Sequence, residues 1–185
     1  MVTIAVLDAN VLFPMILRDT LLRIAAAGCF RAHWSDRILD EMARNLIEKH
    51  RITPEQAERL VAQLVKAFPE AKVDDWEDLE GAMPNDPKDR HVAAAAATVG
   101  ATFIVTANLK DFIRLPMGMQ AVTPDAFLLK RFLEMPEEIL AAMRKQAGGY
   151  RNPAATIDEL LDWLARDLPT FVGAVRTMIA KGGAK

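Results

Sequence analysis

The chain has 185 residues, a hydrophobic share of 51% and a formal net charge of −2, with a mean hydropathy of +0.07. That length suits one ordinary domain with an appendage, and the apolar content excludes a disordered chain. The charge excludes a global cationic field for non-specific nucleic-acid binding, leaving room only for a local basic patch. One cysteine excludes an intramolecular disulfide and a Cys-based zinc site. Cys29, in "RIAAAGCF", reads as a small buried hydrophobe. No segment approaches the ~20 apolar residues of a membrane span, and no leader pattern opens the chain. A cytoplasmic protein with no membrane partner is expected.

Residues 2–7, "VTIAVL", read as a buried strand. "PMILRDTLLRIAAAGCF" has helical spacing through Ile16, Leu17, Thr20, Leu21 and Ile24, with Pro14 in the first turn and Gly28 as the stop. "RAHW" reads as a short strand. Ser35 offers an N-cap oxygen, and Asp36 suits the positive end of a helix running to about Lys49. Thr53 and Pro54 form the N-cap and N1 of a further helix, with Leu60, Val61, Leu64, Val65 and Phe68 inward. "EAKVDDWEDLEGAMPNDP" is an acidic connection with room for a strand at 71–73. From Asp86 or Asp89 a helix runs through "HVAAAAATVGA" to Gly100. "TFIVTAN" is a continuous apolar strand of the kind found inside parallel sheets, and "MQAVTP" is a shorter one. After Pro124 only helical segments follow, with "AGGYRNP" as the flexible loop among them. The pattern predicts an α/β sandwich with a parallel sheet over 1–123 and a helical subdomain over 124–185.

Asp8 raises the first chemical question, because an ionised carboxylate closing a buried strand is costly unless it is paired. Glu41, Asp89 and Asp111 are the other acids at informative places. The carboxyl ends of parallel strands face a common crevice, which puts Asp8 and the "TAN" end of the later strand at one edge. Clustered carboxylates repel, and a divalent cation relieves the repulsion; oxygen-only ligands suit Mg²⁺ or Mn²⁺. Each acid also has a plainer reading. Asp8 caps the next helix, Asp86 and Asp89 serve a helix dipole, Glu41 is a solvated helix-face residue, and Asp111 is a surface loop acid.

Taken together, "VLDANVL", "SDRILDEM", "NDPKDRHVAAAA" and "FIVTANLKDF" resemble the PIN-domain family, in its VapC-type toxin branch. The resemblance covers residues 2–123. It implies a three-layer α/β/α sandwich whose acidic cleft holds one or two Mg²⁺ or Mn²⁺ ions and hydrolyses RNA phosphodiesters by in-line attack of water. Asp8, Glu41 and Asp89 match the family's acids. Asn10 and Thr106 match its supporting polar residues. Where relatives often carry Asp this chain has Asn108, and Asp111 is the substitute. Arg18, Arg44, Lys88, Arg90 and Lys110 flank the motifs as candidate RNA-backbone contacts. A small cognate antitoxin and a homodimer are the partners implied.

The residues leave rival readings open. A PIN-like scaffold that binds RNA or a partner without cutting remains, because of Asn108. A haloacid-dehalogenase-type phosphatase wants a second Asp at position 10, where Asn10 stands. A Rossmann site needs glycines that "DANVLFP" lacks. His33, His50 and His91 show no zinc spacing, and Trp34, Trp76 and Trp163 read as packing residues.

Overall fold

The computed structural model describes residues 2–151 and 154–182. The chain forms two compact units, Met1–Pro14 with Arg31–Val122 and Met15–Phe30 with Thr123–Lys185.

The first unit is built on a four-stranded sheet. Strand β1 (Ile4–Leu7) leads through α1 (Ala9–Leu12) out of the unit and back into β2 (Arg31–His33). Helices α3 (Asp36–Glu48), α4 (Pro54–Ala67), α5 (Glu77–Glu80) and α6 (Arg90–Thr98) precede β3 (Phe103–Val105) and β4 (Gln120–Val122). The order is β2-β1-β3-β4, and every pairing is parallel. Leu7 stands opposite Val105. That register sets the next residues of the two strands, Asp8 and Thr106, side by side at the carboxyl edge. The five alanines of α6 explain its close fit on β1 and β3, since four of them, Ala93 to Ala96, are fully buried.

Helix starts follow their local chemistry. Ser35 accepts from the Ile38 N–H, and Thr53 forms a reciprocal capping box with Gln56. Gly28 and Gly100 stop their helices at φ +81° and +63°, where a side chain is disfavoured. Three expectations need correction. Residues 71–73 form no strand: Pro69–Ala71 is a 3₁₀ turn, and only Lys72 bridges Trp34. Pro69 has no N–H to extend a ladder. On α4, Leu64 is buried, but Leu60, Val61 and Phe68 are half-buried and Val65 is exposed. The acidic connection also folds a short helix, α5, which brings buried Trp76 under Arg37, with the guanidinium 5.9 Å from the ring centroid.

The second unit is helical: α2 (Met15–Ala26), α7 (Pro124–Glu134), α8 (Pro136–Gly149), α9 (Ile157–Leu164) and α10 (Pro169–Gly182). Helix α2 packs on α8 and α9. Thr20 donates to Gln146 at 3.0 Å, and the Tyr150 hydroxyl donates to Asp19 at 3.0 Å. Phe30 meets Phe127 edge-on, with centroids 4.9 Å apart. The Asp125 carboxylate accepts from the Phe171 N–H at 2.8 Å, tying α7 to the start of α10. Cys29 is free and buried here, as its sequence context suggests. Trp163, read as a packing residue, touches Tyr150 but is 39% exposed. In the loop "AGGYRNP", Gly148 and Gly149 close α8, and residues 152 and 153 lie outside the described residues.

Candidate active site

Asp8 stands at the N-cap position of α1, and its side chain makes no capping bond. Its carboxylate turns instead to the sheet edge. Oδ2 accepts from Thr106 Oγ1 at 2.7 Å and from Asn10 Nδ2 at 2.6 Å. Asn10 Nδ2 also donates to Thr106 Oγ1 at 3.0 Å, and Asn10 Oδ1 accepts from the Ala107 N–H at 2.9 Å. Thr106 Oγ1 takes a third bond from the Asn108 N–H at 3.0 Å. Both Asp8 and Thr106 are buried. Burial pushes the Asp8 carboxyl up from its ordinary value, the Thr106 hydrogen bond pulls it down, and the Glu41 charge raises it again. Buried without a cation, Asp8 is an electrostatic liability that its neighbours relieve only in part.

Asp89 repeats the pattern. It stands at the N-cap position of α6 and makes no side-chain capping bond. Its Oδ2 is buried without a hydrogen bond. Burial, and then the charge of Asp8, lift its carboxyl to about 6. The reading of Asp8 as a helix cap is therefore replaced, while Asp86 does cap, accepting from the Lys88 N–H at 3.2 Å.

Asp111 is buried on a 3₁₀ turn, Leu109–Phe112, rather than on the surface. Its Oδ2 takes Lys88 Nζ at 3.0 Å and a hydrogen bond from Asn108 Nδ2. Lys88 holds its carboxyl below the usual range. Glu41 is half-buried on α3, with Oε2 3.5 Å from His91 Nε2, and His91 keeps its carboxyl low. His91 is buried, and its Nδ1 lies 3.0 Å from the Lys88 carbonyl oxygen.

Among the candidate cations, Arg44 and Lys110 are exposed. Arg90 donates to the Asn85 carbonyl at 3.4 Å. Arg18 is buried in the helical unit. Lys88 is the one drawn in among the acids. Spacing alone did not reveal the roles of Lys88 and His91, although "DPKDRH" holds both beside Asp89.

Among the described residues, no three Asp, Glu, His or Cys side chains converge as a ready-made metal cage. The donors present still fit a hard divalent ion. Mg²⁺ is typically held by one or two carboxylates and completes its shell with water and phosphate. Asp8 and Asp89 supply such oxygens, and the buried Asp89 Oδ2 has no competing hydrogen bond. No helix among the described residues is long and apolar enough to cross a membrane.

Comparison with known proteins bears on the fold. A family model described as PIN domain matches residues 4–110, and one described as VapC50 C-terminal domain matches residues 124–177. A curated protein of Mycobacterium tuberculosis, named "Putative ribonuclease VapC50", is 37% identical over 110 residues. The match covers 58% of this chain and 65% of that relative's length. No solved structure matches the chain.

Proposed function

Because the chain belongs to the PIN-domain family, in its VapC-type branch, we propose that it is a divalent-metal-dependent endoribonuclease and the toxin of a toxin–antitoxin pair. One observation carries the proposal. Two buried-side aspartates occupy helix N-cap positions and cap neither helix. Ser35, Thr53, Thr123 and Thr156 all cap theirs, so the fold is not short of capping geometry. Asp8 and Asp89 instead load one edge of the sheet with negative charge, an arrangement that favours a bound cation.

Asp8 and Asp89 would hold the Mg²⁺ or Mn²⁺ ion. When bound, such an ion activates water and stabilises charge on a phosphoryl group. The chain's residues do the rest. Thr106 and Asn10 fix the Asp8 carboxylate through Oδ2, so its orientation does not depend on the ligand. Asp89, poised near 6, releases its proton at neutral pH and becomes a full anion when the site is used. Glu41, kept ionised by His91, is the carboxylate available to accept a proton from attacking water. Arg44 and Lys110 face solvent, where they can hold the RNA backbone as point charges.

A small antitoxin protein would silence the cleft, and the helical unit is the surface assigned to that partner or to RNA. A homodimer would lengthen the RNA groove. The test is cleavage of a mixed RNA pool by the purified chain with Mn²⁺, Mg²⁺ or EDTA, beside Asp8→Asn. Metal-dependent cutting that the variant loses is expected. A folded protein that cuts in no metal would return the chain to the reading of a non-catalytic binding scaffold.

A further inference from the structure

We infer that Lys88 serves as the second cation of this centre, so that the site takes one divalent ion where two would otherwise fit. The inference rests on the metal-dependent reading above and concerns what completes that site.

The position of Lys88 is built, not incidental. Its N–H is held by the Asp86 carboxylate at 3.2 Å, and its carbonyl faces His91 Nδ1 at 3.0 Å. Pro87 restricts the backbone between Asp86 and Lys88. The Asp86 N–H donates to the Asp111 carbonyl at 3.1 Å, which fastens this turn to the turn that carries Asp111. From that anchored backbone, Nζ reaches Asp111 Oδ2 at 3.0 Å and stands 3.8 Å from Asp89 Oδ2. An ammonium therefore lies against both carboxylates.

The ligand inventory points the same way. Asp111 Oδ2 is committed to Lys88 and to Asn108 Nδ2. Asn108 donates its amide N–H to that same oxygen, which commits Asp111 Oδ2 further. Asp8, Glu41, Asp89 and Asp111 bring four negative charges at most, and one divalent ion with one ammonium offsets three of them. A second divalent ion beside Lys88 would leave the cluster with excess positive charge. The Lys88 side chain remains 63% exposed, so it can also meet a substrate phosphate while it neutralises Asp111.

The experiment counts Mn²⁺ per chain, by calorimetric titration and by the spin resonance of free Mn²⁺, at neutral pH. The proteins are the native chain, Lys88→Met, Lys88→Arg and the double variant Lys88→Met with Asp111→Asn. The expected stoichiometries are about one, two, one and one. Two ions on the native chain, two on Lys88→Arg, or still one on Lys88→Met would each overturn the inference while leaving the metal reading standing. No ion on any of the four proteins would overturn both.

Discussion

If Asp8 and Asp89 are held apart from their ordinary chemistry by burial and mutual repulsion, neutralising one should stabilise the metal-free protein. Asp89→Asn is the sharpest perturbation, because Asn keeps the shape and removes the charge. The Asp89 carboxyl sits at about 6 against an ordinary 3.8, a rise of roughly two units. At 1.36 kcal/mol per unit, the ionised form costs the fold ~3 kcal/mol as an upper figure. The side chain is 15% exposed and Lys88 stands 3.8 Å away. Solvent screening reduces the figure to about 1–2 kcal/mol. The sign follows from proton binding. The folded state holds this proton more tightly than the unfolded state, so native stability is highest at low pH and falls as pH rises from about 4 to about 6. Above that the loss is constant. Asp89→Asn escapes it, and in EDTA at pH 8 its unfolding midpoint should exceed the native one by about 3–6 °C. At pH 4 the two proteins should converge. With saturating Mn²⁺ at pH 8 the order should reverse, because only the native chain gains full ligand stabilisation. Scanning calorimetry reads all three conditions, through the transition of the unit that contains the sheet. A variant less stable than the native chain at pH 8 in EDTA, or a difference unchanged at pH 4, would refute the reasoning.

Thr106→Val preserves volume but removes the hydroxyl that donates to Asp8 and accepts from Asn10 and Asn108; it should cost about 1–3 kcal/mol in urea unfolding and lower cleavage about tenfold or more, and an unchanged urea midpoint would contradict the assigned network. Truncation after residue 123 should leave a poorly soluble, protease-sensitive chain, because Leu17, Leu21, Leu22 and Ile24 of α2 are buried in a helical unit whose other helices, α7 to α10, the truncation removes; a truncated protein with native protease resistance would contradict that grouping.

The parts of the fold that were legible are those encoded within a few residues. Ser35 before Asp36 and Thr53 before Pro54 marked helix starts because capping is local chemistry. "FIV" announced a parallel strand because it is apolar on both faces and is buried on both. Helix α5 was hidden in an acidic run, since none of its own residues is buried and the buried Trp76 stands just before it. The exposure of Val65 was hidden too, because periodicity shows that a face is apolar and not how wide its partner is. Likewise, the spacing of α2 showed a helix and could not show that its partners, α8 and α9, begin more than a hundred residues later.

The candidate site divides along the same line. Asp8 and Thr106 could be paired on paper, because parallel strands align their carboxyl ends and Leu7 meets Val105. Lys88 could not. In "NDPKDRH" it is one cation among several charges, and its partner Asp111 lies on a separate turn, fastened by a backbone bond from Asp86. What separates the two cases is the kind of bond that fixes each residue. A strand register extends to every residue along it, whereas a single tie between two turns leaves no periodic trace. The same distinction explains why Asp8 looked like a cap and Asp89 like a dipole acid in the sequence. An aspartate before a helix satisfies the capping pattern wherever it points, and only the third dimension shows that Asp8 is held by Thr106 and Asn10, that Asp89 lies in the field of Asp8, and that neither side chain makes a capping bond.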